Sequence, residues 1–412
     1  MKKFVSFFSI ALAGLMLFSG CSQAASVPES QLLAQSDSET NQSTRQLTPL
    51  QASDGTSYGG VSEQGLYIVS PAVNVDGSTN LMYLDFNTKQ KIVLCSQPNC
   101  THSTDSCTGY LSYSAGGIAV EVVGEDVILF FLGNVYTSQS EQDTVLPHIE
   151  IMKMDASERR TTLTLEANQS VNRPMVTDGT FLYCERMTAT EDKITSDLVQ
   201  IDPVNGELTV LRKLNQEWVK GGAGSKLILM NADGDYFTYD IDTKQEENIY
   251  EETDPWVSTR LFGSILVYKQ NQRFCAYNVL TGTTTEWSSY AAPTNEEATI
   301  TFLDADEKHL IFSIRSDSNQ TGTALADGFY VLQGESEPQP WALTYLLDNE
   351  ATAIDHIANM DADTFLVITG VSMPNDSVSG NSGYIVTGEN FYATISAKDY
   401  WQGNAVYVNL AG

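Results

Sequence analysis

The chain has 412 residues, in which 52 acidic side chains face 22 basic ones for a formal charge of −30. A surface of that sign repels phosphate backbones and anionic headgroups, so nucleic acid and a polybasic membrane contact are excluded as expected partners. No stretch beyond the N-terminus is long and apolar enough to span a bilayer as a helix.

At the N-terminus, Lys2 and Lys3 precede an unbroken run of apolar and small residues over 4–18, which closes on Phe18-Ser19-Gly20-Cys21. The run is shorter than the roughly 20 residues a membrane-spanning helix needs, so residues 1–20 read as a signal peptide. Its last four residues resemble the bacterial lipobox, with Phe18 where Leu is usual. The resemblance implies a lipid on the sulfur of Cys21, anchoring the chain to the extracellular face of the cytoplasmic membrane. The alternative is ordinary cleavage after Ser22-Gln23-Ala24 and release as a soluble protein. Residues 21–57 are rich in Ser, Gln, Thr and Ala and read as a flexible tether, which as a coil spans roughly 30–35 Å.

The remaining body, 58–412, is long for one conventional core and ordinary for a ring of repeats. Short runs of apolar residues recur at 66–69, 127–130, 181–183, 227–230, 265–268, 310–312 and 365–368. Each is too short for a helix and rich in β-branched or aromatic residues, which predicts a buried strand. A second element follows in several repeats: a strand, an Asp or Asn, a turn, and another strand. Leu84-Asp85-Phe86-Asn87-Thr88, Ile201-Asp202-Pro203-Val204-Asn205-Gly206, Ile241-Asp242-Thr243-Lys244 and Tyr277-Asn278-Val279-Leu280-Thr281-Gly282 carry it. The acidic or amide side chain bonds the turn backbone, and Gly or Asn supplies the positive φ. With a weaker strand before each apolar run, such as 118–123, the unit is four antiparallel strands.

Seven such units predict an all-β fold, a seven-bladed β-propeller, with six or eight blades if a repeat has been split or merged. The spacing and turn resemble TolB-like and quinoprotein-like propellers, an architecture that implies no particular enzyme. The signature motifs of WD40, kelch and sialidase propellers are missing. With strands named a to d, parity puts a–b and c–d turns on one face, and b–c loops and blade-to-blade links on the other. The long insertions 134–147, 188–196, 316–326 and 373–382 all read as b–c loops, and long loops gathered on one face of a rigid ring are where binding sits.

The densest chemistry is Cys95-Ser96-Gln97-Pro98-Asn99-Cys100-Thr101-His102, continuing to Cys107. Parity places it on the long-loop face. A Cys-x-x-Pro-x-Cys-x-His-x-x-x-x-Cys run resembles one found in propeller-like lipoproteins of Gram-positive bacteria; the likeness implies an address and a fold, and no activity. Cys95, Cys100, His102 and Cys107 form a Cys₃His set suited to a structural zinc ion. The competing reading is a disulfide between two of the three cysteines, as exported proteins favour, with the third free or buried. A redox-active cluster is the third.

Other signals are weaker. Asp304-Ala305-Asp306, Asp361-Ala362-Asp363 and Asn231-Ala232-Asp233-Gly234-Asp235 read as turn chemistry rather than calcium ligands. Cys184 and Cys275 read as core residues. Gly221-Gly222-Ala223-Gly224-Ser225-Lys226 reads as a link between blades and lacks phosphate-loop spacing. No catalytic motif and no cofactor-binding motif is found. The leading expectation is a non-enzymatic surface module that binds a protein, peptide or glycan through the long-loop face. The alternative is a polysaccharide hydrolase or lyase with acids dispersed over several blades. A transporter's solute-binding lipoprotein stands below both, because helical periodicity is nearly absent.

Overall fold

The computed structural model describes residues 45–50, 59–73, 76–136, 145–252, 259–287, 290–292, 298–316, 325–347, 349–372 and 388–410. The signal peptide, Cys21 and the chain up to residue 44 lie outside them, as does most of the loops at 134–147 and 316–326 and all of 373–382.

Seven four-stranded antiparallel blades follow in chain order, each laid down a, b, c, d. Blade 1 is Gly60–Val61, Gly65–Val69, Thr79–Asp85 and Lys91–Val93; blade 2 is Ile118–Val123, Asp126–Phe131, His148–Lys153 and Arg160–Thr164. Blade 3 is Gln169–Thr177, Leu182–Ala189, Ile194–Asp202 and Glu207–Leu214; blade 4 is Glu217–Ala223, Lys226–Asn231, Tyr236–Asp240 and Glu246–Tyr250. Blade 5 is Arg260–Phe262, Ile265–Gln270, Arg273–Asn278 and Thr283–Trp287; blade 6 is Ala298–Ala305, His309–Ser316, Gly328–Gln333 and Gln339–Pro340. Blade 7 is Asp355–Asn359, Thr364–Ser372, Glu389–Ser396 and Tyr407–Asn409, with a hairpin of Thr344–Leu347 and Glu350–Ala353 before it and the helix Ala397–Gln402 between its last two strands. Each apolar run found in the sequence is strand b of one blade, so the repeat is counted once per blade.

The core lies in the seams between blades. In blade 2, Leu129 packs toward blade 1 with Tyr67 and Leu81, whereas Ile128 and Phe130 pack toward blade 3 with Leu182 and Val199. Alternation along a pleated strand sends successive side chains to opposite faces, so strand b fills two seams at once. The ring closes where Leu66, Ile68 and Leu84 of blade 1 meet Ile357, Leu366, Ile368 and Tyr392 of blade 7, with Leu410 completing the cluster. Lys91 and Glu389 pair across the same seam. Neither blade lends the other a strand.

The turns carry the expected chemistry, with one correction. Asp85 accepts the N–H of Asn87 and Thr88, Asp202 those of Val204 and Asn205, and Asn278 those of Leu280 and Thr281. In blade 4 the turn-bonding residue is Asp240 rather than Asp242: it accepts from Asp242 and Thr243. The backbone sets the choice, because the positive-φ residue stands four places after the acceptor in each case, at Lys89, Gly206, Lys244 and Gly282.

Residues read as tether join the ring. Thr48 and Pro49 pair with Thr177 and Val176 on the inner strand of blade 3, and Leu47 bridges to Gly224. Leu47 and Leu50 are buried in the seams on either side of blade 3. The chain enters at the turn face, where Arg45 Nη1 lies 2.8 Å from Asp178 in an a–b turn and Nη2 lies 3.3 Å from Asp242 in a c–d turn. The run 221–226 is therefore the end of strand a and its turn, not a link between blades. Gly222 is required by close approach: a Cβ there would stand 2.6 Å from Val176 and 3.0 Å from Leu47.

Closure without a shared strand makes the last seam a test of the whole ring. Leu366→Ala, at a fully buried seam position, is expected to cost about 2–5 kcal/mol. Denaturant unfolding followed by fluorescence and by circular dichroism should show one coincident transition moved to lower denaturant. Separate transitions would mean that the seam does not couple the blades.

Candidate metal centre

The fourth strand of blade 1 is broken in the middle. Val93 pairs with Met82 and Leu94 N–H donates to Leu81, after which residues 94–109 leave the sheet and return with Tyr110 opposite Asn80 and Leu111 opposite Thr79. The excursion leans on blade 2: Ser96 Oγ donates to Ala156 O at 3.3 Å, and Arg159, itself paired with Glu150, donates to Thr108 O at 2.8 Å. Ala156 and Arg159 belong to the c–d turn of blade 2, so the cluster sits on the rim at the blade 1–blade 2 seam beside the turn face. Parity placed it on the long-loop face and is corrected here; it counts whole strands, and a strand interrupted midway delivers its loop to neither end.

Within the excursion the structure brings Cys95, Cys100, His102 and Cys107 together. Their four donor atoms lie within 4.8 Å of one another, the one such group among the described residues. Left-handed backbone at Asn99 (φ 60°) and His102 (φ 58°) reverses the chain twice. Each sulfur accepts the backbone N–H two residues on: Gln97 to Cys95 at 3.4 Å, His102 to Cys100 at 3.4 Å and Gly109 to Cys107 at 3.3 Å. His102 Nδ1 stands 3.3 Å from Cys107 Sγ. N–H groups aimed at sulfur stabilise thiolates, because charge-assisted hydrogen bonds are stronger than neutral ones.

The three thiols are not equivalent. Burial opposes ionisation of Cys95, but the Gln97 N–H and hydrogen bonds from Thr108, Cys107 and Cys100 outweigh it and draw its pKa down to about 6. Cys107, the buried member, is pushed up by burial and by the neighbouring sulfurs. A second and third thiolate in so small a space need a cation to balance them. Cys184 and Cys275 are buried in strands b and c of blades 3 and 5 with pKa values raised by burial, as core residues should be.

The remaining acidic motifs divide. Asp306, Asp361 and Asn231 accept turn N–H groups as expected. Asp304 does not: its Oδ2 accepts from Tyr400 OH at 2.9 Å and lies 2.8 Å from His356 Nδ1, tying blade 6 to blade 7. Burial works against a charged His356, and the Asp304 carboxylate overcomes it, so the pKa of His356 is raised.

All four insertions expected on one face join strands b and c, of blades 2, 3, 6 and 7, and three of them are long. The fourth, 188–196, is no insertion. Its strands run to Ala189 and resume at Ile194, leaving a tight turn in which Thr190 N–H donates to Lys193 O at 2.8 Å.

No protein-family model matches the chain, and neither does the sequence of any curated protein. Solved structures do. A prolyl endopeptidase is similar with a TM-score of 0.50 at 10% identity, over 89% of this chain and 50% of that one. An oligogalacturonate lyase from Vibrio parahaemolyticus gives 0.45 at 12% identity, over 85% and 90%. TolB from Acinetobacter baumannii gives 0.31 at 13% identity, over 82% and 77%. At such identities the likeness is one of fold alone.

Proposed function

We propose that this chain is a zinc-stapled β-propeller, held by a lipid on Cys21 at the outer face of the cytoplasmic membrane, that binds a surface protein, peptide or glycan through its long-loop face. The observation that carries the binding role is the division of the ring. The chain arrives at the turn face at Arg45, and the strands b and c that flank the three long insertions meet them at the opposite face. A membrane tether would therefore lead to one face of the ring, and the strands that flank the long insertions end on the other.

Zinc is supported by the donor chemistry. Tetrahedral zinc with Zn–S near 2.3 Å and Zn–N near 2.0 Å sets its ligand atoms roughly 3.5–3.8 Å apart, a small contraction from the spacing of Cys95, Cys100, His102 and Cys107. Three sulfurs with an N–H donor each suit three thiolates on a cation, and a disulfide would leave His102 without a role. A closed Cys₃His set leaves no open position, so the ion's work is structural: it fixes residues 94–109 against blade 2. The hydrolase or lyase alternative gains nothing from Asp304, whose acceptor Oδ2 is taken by His356 and Tyr400.

Three measurements test the proposal. Metal analysis of anaerobically purified protein should find about one zinc per chain, with three thiols released together by a chelator; a tryptic fragment joining two of the three cysteines would replace zinc by a disulfide. Cys21→Ala should send the protein into the medium, and a variant that stays with the membrane fraction would remove the lipid anchor. A photo-crosslinking residue at Tyr136, 72% exposed in the b–c loop of blade 2, should give adducts on intact cells. The same group at Leu280, 54% exposed in a c–d turn, should give none, and the reverse pattern would put binding on the other face.

A further inference from the structure

The two sides of the blade 6 sheet differ toward the long-loop face. On the side facing blade 5, Ile314 and Ile300 continue the apolar seam nearly to the strand ends. On the side facing blade 7 the seam begins the same way, with Ile311 and Val331 buried. It then turns polar. Ser313 and Arg315 follow Ile311 along strand b, with Thr301 opposite Ser313, Thr299 opposite Arg315 and Phe329 opposite Ser313 on strand c. Blade 7 does not fill this half of the seam. The far wall is Glu350–Ala353, the second strand of the hairpin that precedes blade 7, and a cleft of about 660 Å³ lies between. Arg315 and Glu350 approach to 3.5 Å across it.

We propose that this cleft binds a short, uncharged oligosaccharide. The assignment rests on the long-loop face being the binding face, since the cleft opens among the ends of strands b and c. Hydroxyls of Thr299, Thr301, Ser313 and Thr352 line it, each able to donate and accept. Among the described residues no protein group bonds them. Phe329 offers an apolar surface beside them, the combination of a few placed polar groups and an aromatic wall that ligand sites use, at a volume within their roughly 300–1,000 Å³ range. The charges select against other ligands. Asp327, Glu350 and Asp355 outnumber Arg315 in the lining, which disfavours phosphorylated or uronic chains. The blade 6 wall is a sheet face whose strand b is paired on both sides, so it offers an extended peptide no edge to join.

Calorimetric titration of the secreted full-length Cys21→Ala protein with neutral hexasaccharides of glucose, xylose, mannose, galactose and N-acetylglucosamine tests this. At least one should bind, and hexagalacturonate should not. Thr301→Val with Ser313→Ala should weaken binding at least tenfold with the melting temperature unchanged. No binding of any neutral probe at millimolar concentration would overturn the assignment, as would binding that the paired change leaves intact. Crosslinking at Tyr136 separates the two levels: adducts there without saccharide binding sink the cleft and leave the face standing, whereas saccharide binding lost in the cleft variant without Tyr136 adducts keeps the cleft and removes the long loops from the contact.

Discussion

No blade of this ring can bury itself. A four-stranded sheet has two faces, and here each is covered chiefly by a neighbouring blade, so that Leu129 and its neighbours Ile128 and Phe130 serve different seams from adjacent positions. The demand explains the composition of strand b, which is continuously apolar where a half-exposed strand would alternate. It also makes closure obligatory: an open ring would expose the blade 1 and blade 7 faces, each as apolar as any interior seam. Because Leu66, Leu84, Leu366 and Tyr392 close it without a shared strand, the ring is held by shape and burial, with the Lys91–Glu389 pair beside them.

The same constraint decides what could be read before the fold was known. Strand b announces itself seven times because burial on both faces leaves an unbroken apolar run. The c–d turn is legible at Asp85, Asp202 and Asn278 because its acceptor and its positive-φ residue are local. At 240–244 two acids compete for the role, and only the backbone chooses between them. Contacts distant in sequence were hidden. The segment Leu47-Thr48-Pro49-Leu50 interrupts a polar stretch, as Leu32-Leu33 also does, but its partners Val176 and Gly224 lie far along the chain. The cysteine cluster was visible as a motif, while its position was not, because nothing local marks the fourth strand of blade 1 as broken at Val93 and resumed at Tyr110.

The excursion at 94–109 also explains why a ligand set belongs where it is. Its residues are mostly small and polar, with little apolar surface to bury, and they make no ladder bonds between Leu94 and Gly109. Such a stretch does not repay the entropy of ordering by packing. Arg159 holds its exit through Thr108, and the sulfur-directed N–H groups organise its middle. Cross-linking of the four side chains by the proposed ion would supply what a hydrophobic core supplies elsewhere in the ring.

Entry of the chain at Arg45 has a mechanical consequence. Thr48 and Pro49 run antiparallel to the inner strand of blade 3, with Leu47 N–H bonded to Gly224 O at 2.7 Å and Leu50 N–H to Met175 O at 2.8 Å. Hydrogen bonds in such a ladder lie across the strand axis, so a pull on the chain upstream of Arg45, directed away from the turn face, shears them together instead of peeling them one at a time. The load enters near the axis of the ring, through the innermost strands of blades 3 and 4, and is shared by the two carboxylates that grip Arg45. Under the proposed anchor, drag on the ring would reach its most deeply embedded strands before any outer edge.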